Sequence, residues 1–289
     1  MIGKNFSFNG VRIPWSTTEG MSAGWYADVN WDNVATRNYV TSRQDWHGTI
    51  AKPTYADGRI IDVRGEIFHT SKHQRGIIRD VIADLFKIQD FPSEDNEFKK
   101  LEFTDDDDTD WFMWAKVYTM PEYQHERGEP IIGFSTQLYA SDPLIYSKNP
   151  VVVSGIYGLF GGITLPVELP TDLDGGLNVI TCTNNGNFSA KAKITITGQI
   201  QKPKIYNLLT GRFFKLNIDV NQGDTLIIDT NNSSVTLNGN SVLANRTAGS
   251  NWLFVNSGTN YFLLMGDDFD FDNQSKAQIQ IEFYHTKLV

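Results

Sequence analysis

The sequence is poor in cysteine and contains no long apolar run. Its 289 residues include one cysteine, Cys182, so an intrachain disulfide is excluded. Cys182 lies in the alternating run VITCTN, which favours a buried strand position over a catalytic nucleophile. No run of about 18 apolar residues is present, and the N-terminus lacks the apolar stretch of a signal peptide. We therefore expect no membrane insertion.

Motifs for nucleotide-dependent and hydrolytic chemistry are also missing. The chain has no Walker loop, no G-x-G-x-x-G fingerprint, no G-x-S-x-G elbow and no H-E-x-x-H zinc motif. Nothing in the sequence singles out two of its 34 acidic residues as a pair of glycosidase carboxylates. We predict that the protein is not an enzyme, with no catalytic residues and no cofactor.

Positive charge is in deficit, since the formal net charge is -9 and the isoelectric point is near 5.0. Proteins bind nucleic acids largely by neutralising phosphates with Lys and Arg. We therefore expect no specific nucleic-acid binding. The apolar content of 40% fits a soluble globular protein, and the aromatic content of 12% suits β-sheets and protein interfaces.

The first half, residues 1–150, is predicted to form a β domain with one helix. Strand-like runs lie at 6–13, 46–49, 60–68, 111–120 and 130–139. A helix is predicted over about 75–87, preceded by a cap region at 70–73. The apolar residues of this segment form a broad stripe: Ile77, Ile78, Val81, Ile82, Leu85 and Phe86. Such a helix covers one face of a sheet.

The second half, residues 151–289, is predicted to form a β-sandwich after a Gly- and Pro-rich connector at 155–170. The apolar runs 213–220, 225–229 and 234–237 are separated by turns rich in Asn, Asp and Gly, a pattern typical of antiparallel hairpins. The run 277–283 alternates apolar and polar residues, as a final sandwich strand does. The predicted fold class is therefore mainly β with one amphipathic helix.

One acidic run and one histidine pair in the first half are candidate metal ligands. The run Asp105–Asp110 is rich in carboxylates, but it lacks the D-x-D-x-D-G spacing of a calcium loop, which favours a solvated hairpin tip. His69 and His73 have i, i+4 spacing, yet they lie where a strand passes into the helix. Surface or capping roles are therefore favoured for both histidines.

A second acidic run, in the C-terminal half, places Asp268, Asp270 and Asp272 at alternate positions. A calcium loop would continue with a glycine and a distant glutamate, where this sequence has Asn273 and Ile279. The pattern favours a strand with one apolar face. We predict no metal site in either half.

Tryptophans are candidates for stacking on sugars. Four are dense near the N-terminus, and core or subunit-interface positions are favoured for them: Trp15, Trp25, Trp31 and Trp46. In the second half, Trp252 is the candidate for glycan stacking. Sugar binding at a tryptophan needs polar partners around the ring, and His285 and Arg246 are isolated from Trp252 in the sequence. A buried structural tryptophan is favoured, and glycan stacking remains open.

Short motifs follow one another in a characteristic order along the second half. They are Asn184-Asn185-Gly186, Ile194–Gly198, Pro203, Ile205, Asn207, Thr210-Gly211, Gly223-Asp224, Ile228–Thr230, Asn238-Gly239, Ser250, Trp252, Gly258 and Asn260. This order resembles the C-terminal galectin-like domain of the distal tail proteins of long-tailed, siphovirus-type phages. The first half is similar too, with a sheet, one helix and a closing L-x-A-x-D-P at 138–143 followed by a tyrosine.

The resemblance implies a structural role at the tip of a phage tail. Family members form a homo-hexameric ring from their N-terminal domains, and their galectin-like domains project outward and carry adhesion devices. The ring joins the tail tube protein to the tail-associated fibre or lysin protein, and receptor-binding or baseplate proteins are further candidate partners. The implied location is the tail tip of the virion, after synthesis in the cytoplasm of the bacterial host.

DNA passes through the lumen of such a ring during ejection. We expect acidic residues of the first domain to line this channel, because carboxylates repel DNA phosphates. The alternative hypothesis is a carbohydrate-binding adhesin module that recognises the bacterial cell wall through the second domain.

Overall fold

The computed structural model describes residues 4–13, 24–30, 34–37, 40–42, 49–51, 53–88, 97–105, 107–125, 131–156, 159–160, 176–177, 179–267 and 277–288. Within these ranges it consists of antiparallel β-sheets and the amphipathic helix α1 (Lys72–Leu85), so the predicted mainly β fold is confirmed. The chain divides into two compact units, Met1–Lys148 with Leu288–Val289, and Asn149–Lys287. No helix in the described ranges is long and apolar enough to cross a membrane.

The first unit is built on long antiparallel strands. Its strands are β1 (Lys4–Phe8), β2 (Val11–Arg12), β3 (Gly24–Asn30), β4 (Val34–Arg37), β5 (Val40–Ser42), β6 (Thr49–Ala51), β7 (Tyr55–Phe68), β8 (Lys99–Thr104), β9 (Asp110–His125), β10 (Ile131–Ala140) and β11 (Ile145–Ser147). The sheet order is β2-β1-β8-β9-β10-β7-β3, with β4 beside β7 and β11 beside β9, while β5 and β6 pair with each other.

Helix α1 covers the apolar face of this sheet. The ring of Phe86, at the C-terminal end of α1, stacks on Phe8 at 5.9 Å between centroids, and Ile82 is fully buried. Ser71 caps the helix by accepting a hydrogen bond from the backbone N–H of Gln74, within the predicted cap region. The helix begins three residues before the predicted start because the Ser71 side chain satisfies a backbone N–H group of the first turn.

Two of the six residues in the predicted apolar stripe of α1 do not face the core. Ile77 is 52% exposed and Val81 is 47% exposed, whereas Ile78 packs against the core cluster. Each residue turns the helix by about 100°, so only one edge of so broad a stripe can contact a sheet. The first unit therefore presents an apolar strip on its helix.

The strand predicted at 111–120 needs correction, and the strand predicted at 46–49 lies mostly outside the described ranges. The run predicted as 111–120 is part of the longer strand β9, which continues to His125. The reason is tertiary pairing, since Tyr123 lies opposite Phe134 and His125 opposite Ile132 on β10. Of the strand predicted at 46–49, residues 46–48 lie outside the described ranges, and Thr49 begins β6.

The second unit is a β-sandwich. Its strands are β12 (Val151–Ile156), β13 (Leu159–Phe160), β14 (Gly176–Leu177), β15 (Val179–Asn184), β16 (Ala192–Gly198), β17 (Ile200–Gln201), β18 (Lys204–Asn207), β19 (Arg212–Lys215), β20 (Asp219–Val220), β21 (Thr225–Asp229), β22 (Ser234–Leu237), β23 (Asn240–Ser241), β24 (Gly258–Met265), β25 (Ala277–Phe283) and β26 (Thr286–Lys287). One sheet has the order β12-β25-β16-β21-β22-β23, and the other has the order β15-β24-β18-β19.

A shared core joins the two sheets of the sandwich. The inward positions of β25 are all buried: Ala277, Ile279, Ile281 and Phe283. They contact a cluster that includes Phe214 and Phe262 of the four-stranded sheet. Cys182 belongs to the same cluster, and burial raises the pKa of its thiol to about 12. It is therefore a small apolar residue of the core rather than a reactive thiol.

The hairpin predictions of this unit hold, with one exception. Asn238 and Gly239 have φ angles of 51° and 82° and form the two-residue turn between β22 and β23. The run 213–220, however, is two strands. The chain leaves β19 at Leu216, which bridges to Arg246, and β20 then pairs with β17. Of the connector at 155–170, Leu159–Phe160 pairs with Gly176–Leu177, and 161–175 lie outside the described ranges.

Candidate functional site

The motif asparagines of the second unit are buried and hold its turns. The Nδ2 group of Asn184 donates to the carbonyl oxygens of Phe188 (2.8 Å) and Val255 (3.1 Å). Its Oδ1 accepts from the backbone N–H groups of Gly186 (3.0 Å) and Thr286 (3.3 Å). One side chain thus connects three separate segments, because a buried amide must have all its polar atoms satisfied.

Asn260 and Asn207 have the same role at neighbouring turns. Asn260 Oδ1 accepts from the Asn256 N–H, and its Nδ2 donates to the carbonyl of Asn256 at 2.7 Å. Asn207 Oδ1 accepts from the N–H groups of Leu209 and Thr210. These motif residues shape loops, so they account for the recognisable order of motifs without forming a binding site.

The closing motif of the first unit is also a structural lock. The carboxylate of Asp142 accepts from the Tyr146 hydroxyl at 2.6 Å and from the Leu144 N–H at 3.1 Å. Burial, followed by the nearby Asp142 charge, raises the pKa of Tyr146. Arg59 is fully buried and donates to the carbonyl of Pro143 at 2.6 Å. The residues around Arg59 do not reveal this role in the sequence, because its partner lies 84 residues away.

Trp252, the candidate for glycan stacking, is half-buried rather than buried. Its ring packs on Phe214 at 5.1 Å between centroids. Arg246, expected to be isolated, lies over the indole with its guanidinium carbon 5.8 Å from the ring centroid. The backbone bridge between Leu216 and Arg246 brings Arg246 close to Trp252. His285 instead accepts a hydrogen bond from the Asn185 N–H. Glycan stacking at Trp252 therefore stays a prediction.

The candidate metal ligands do not converge in the described ranges. No group of three or more His, Cys, Asp or Glu side chains there could hold an ion. The run Asp105–Asp110 includes the turn between β8 and β9, and its last residue accepts from the hydroxyl of Thr104 at 2.9 Å. This hydrogen bond, with a smaller contribution from Lys148, lowers the pKa of Asp110. Asp106 and the run 268–272 lie outside the described ranges.

The two histidines near α1 lie on either side of its cap. His69 follows β7 directly, and His73 is exposed in the first turn of the helix. Between them, the backbone N–H of Thr70 donates to Gln74 Oε1 at 3.1 Å. His73 is thus a surface residue, whereas Ser71 rather than a histidine caps the helix and the Nε2 atom of His69 is buried.

Of the N-terminal tryptophans, Trp25 packs in the core of the first unit. Its ring meets Phe134 edge-on at 5.9 Å between centroids. Trp15, Trp31 and Trp46 lie outside the described ranges.

The outer face of β3 and β7 forms a shallow, acidic groove. It has a volume of about 410 Å³ and is lined by Tyr26, Asp28, Asn30, Asp62, Arg64, Gly65 and Glu66. The Tyr26 hydroxyl donates to Glu66 at 2.9 Å, and this bond raises the pKa of Tyr26. Arg64 is 74% exposed and lies 3.9 Å from Asp62. Three carboxylates and one guanidinium make this face negative.

Comparisons with known proteins agree with this fold. Residues 185–284 match the family model described as siphovirus-type tail component, C-terminal domain. No curated protein matches the sequence. The crystal structure of the Dit protein of phage SPP1, described as a paradigm of the hub adsorption apparatus in phages that infect Gram-positive bacteria, matches with a TM-score of 0.65 and 10% identity over 98% of each chain.

Two structures of the baseplate of phage P2, one with Ca and one with Sr, match with a TM-score of 0.43 and 12% identity over 98% of each chain. The family match lies within the second unit and contains most of the short motifs whose order is characteristic. The fold shared with SPP1 Dit extends over both units. The resemblance of this chain to the distal tail proteins of siphovirus-type phages is thus confirmed.

Proposed function

We propose that this chain is a structural component of the tail-tip hub, or baseplate, of a siphovirus-type phage. The observation that carries the proposal is the family match over residues 185–284, set within a chain that has the hub fold along 98% of its length. The buried asparagines and the Asp142–Tyr146 lock support a rigid scaffold, since they hold loops in place by satisfied hydrogen bonds.

In this proposal, domain 1–150 assembles into a homo-hexameric ring in the virion. A closed ring requires two different surfaces on each subunit, because its contacts are head-to-tail. The first unit presents two distinct apolar surfaces that support this arrangement. One is the α1 strip with Ile77 and Val81, and the other is on β9, where Trp114 is 43% exposed and Tyr118 is 56% exposed. The ring would join the tail tube protein to the tail-associated fibre or lysin protein.

The acidic groove on β3 and β7 supports a role as the lining of the DNA channel. Of the 34 acidic residues, 23 lie among residues 1–148. Carboxylates along a lumen keep a passing polyanion from adhering, because they neither neutralise phosphates nor release counterions. This surface suits transit of DNA rather than specific binding. Domain 151–289 would project outward, toward receptor-binding or other baseplate proteins.

The alternative function, an adhesin for cell-wall carbohydrate, depends on Trp252. Arg246 lies over the indole ring, so a sugar stacking on that face would have to displace it. The hub therefore has the better support.

Two measurements test the proposal. Light scattering over a concentration series, with negative-stain images, should show a species near six chains that forms a ring. Antibody labelling of purified virions should place the chain at the tail tip. This second test does not depend on whether the isolated protein closes its ring without neighbouring proteins. Virions without the chain, together with a strict monomer that binds glycans on an array, would contradict the hub and support the adhesin.

A further inference from the structure

The outer face of the four-stranded sheet β15-β24-β18-β19 is unusually apolar for a surface. Three of its residues are large and exposed: Val179 at 38%, Tyr261 at 42% and Met265 at 44%. Tyr206 and Phe213 lie opposite each other on β18 and β19 and are half-buried on the same face. Leu263 of β24, opposite Tyr206, lies between these groups. Contiguous exposed apolar patches of this kind mark interaction sites.

The outer face of the other sheet has a different character. Its outward positions are mainly polar: Lys193, Thr195 and Thr197 of β16, Thr236 of β22, and Gln278, Gln280 and Glu282 of β25. Both sheets bury their inner faces in the same core. The apolar burial that folds the sandwich is therefore supplied by the inner faces and does not require an apolar outer face. The contrast between the two outer faces therefore points to a use of the apolar one outside the unit.

Lysines surround one end of the apolar face. Lys204 and Lys215 lie directly opposite each other on β18 and β19, and like charges in such a pair destabilise a sheet. Lys215 and Lys202 share the carboxylate of Asp267, at 2.9 Å and 3.4 Å. The ammonium group of Lys204 lies over the ring of Phe213 at 4.5 Å. In this part of the described structure, two ammonium groups therefore share one carboxylate and a third lies over an aromatic ring, although the chain as a whole is acidic.

We propose that this face, defined by Val179, Lys204, Tyr206, Phe213, Tyr261 and Met265, is the docking surface for a second tail protein whose own contact surface is acidic around an apolar centre. The inference rests on the proposed hub function and assigns one face of domain 151–289 to a partner. Apolar and aromatic side chains at the centre with charge at the rim are the arrangement of protein interfaces. Lys204, whose ammonium group lies over an aromatic ring, and the two lysines that share the single carboxylate of Asp267 give this end an excess of positive charge, which selects an acidic partner by charge complementarity.

Residue-level labelling of the protein, free and in purified virions, tests this docking surface. Acetylation of lysines and hydroxyl-radical oxidation of Met and Tyr, read by mass spectrometry, report exposure at single positions. Lys204, Met265 and Tyr261 should react in the free protein and lose at least about tenfold in labelling rate in virions. Lys193, exposed on the polar sheet, is the matched control and should react equally in both states.

A charge reversal tests the chemistry of the partner. Lys204→Glu places a carboxylate against the acidic partner and should reduce incorporation of the chain into tails by about tenfold or more. Gln280→Glu adds a carboxylate to the polar face and should leave incorporation unchanged. Equal melting temperatures of the two variants and the parent show that Lys204→Glu acts on docking and not on folding.

The outcomes separate this inference from the hub proposal. A chain that is absent from virions refutes both. A chain present at the tail tip, with Lys204 and Met265 as reactive there as in the free protein, refutes the docking surface alone. If Lys204 is already unreactive in the free protein, the chain covers this face itself. That outcome also refutes the docking surface. Protection that appears on adding purified cell walls to the free protein would show a wall polymer as the ligand instead.

Discussion

Single side chains hold the loops of the second unit, and Asn184 is the clearest case. Replacing it with alanine removes the hydrogen bonds to the Phe188 carbonyl and to the N–H groups of Gly186 and Thr286, while the Val255 carbonyl keeps only its bond from the Ala190 N–H. We expect Asn184→Ala to lower the free energy of unfolding by about 3 kcal/mol, since each unsatisfied buried group costs roughly 1–3 kcal/mol. Urea denaturation measures the change. The neighbouring Asn185 is exposed, and Asn185→Ala should be nearly neutral; equal effects of the two variants would contradict this role.

His285 gives the same unit a pH dependence. Burial lowers its pKa below the usual value of 6.5, and its Nδ1 accepts from the Asn185 N–H, which requires that nitrogen to be unprotonated. As the pH falls below 6.5, the unfolded chain takes up a proton that the folded chain refuses, so stability decreases until the folded pKa is reached. Melting temperatures measured between pH 7.5 and about 5 should fall less steeply in His285→Asn. Identical slopes of melting temperature against pH in the parent and in His285→Asn would contradict this role of His285.

At the scale of elements, the pairing of β3 with β7 requires a glycine at position 65 of β7. A Cβ atom added to Gly65 would overlap the carbonyl oxygen of Tyr26 on β3 and the ring of Phe134 on β10. Gly65→Ala should therefore displace β3 and cost about 3 kcal/mol, toward the upper end for overpacking. Gly133→Ala is the control, because its Cβ would meet Gln124 at an ordinary 3.8 Å. Thermal unfolding of both variants distinguishes a local clash from a general intolerance of alanine.

At the scale of the whole molecule, the apolar strip on α1 should matter for assembly and little for folding. Val81 is 47% exposed, so Val81→Glu should change the melting temperature by only a few degrees. In a ring contact, however, the added charge would be buried against a neighbouring subunit, and the assembled fraction in light scattering should fall at least tenfold. His73→Glu adds the same charge on the first turn of α1 and is the control. Assembly that survives Val81→Glu would place the ring contact elsewhere.

Local patterns in the sequence were sufficient for the fold class and for many of its turns. The φ angles that hairpin loops require are available to Asn238 and Gly239, and the alternation over 277–283 needs only a period of two residues. These features depend on neighbours a few positions away, so a single sequence reveals them. The order of the motif residues also indicated the resemblance to siphovirus-type tail components, because those residues build turns whose geometry is local.

Contacts between distant segments were decided only by the tertiary structure. The pattern of α1 does not reveal that Ile82 faces the sheet while Val81 faces outward, because its apolar stripe is wider than the contact. Arg246 reaches Trp252 through a bridge to Leu216, and Lys204 meets Lys215 through the register of β18 with β19. Such surfaces are assembled by strand pairing and packing across the fold, whereas the sequence by itself determined the fold class, many of the turns and the resemblance to siphovirus-type tail components.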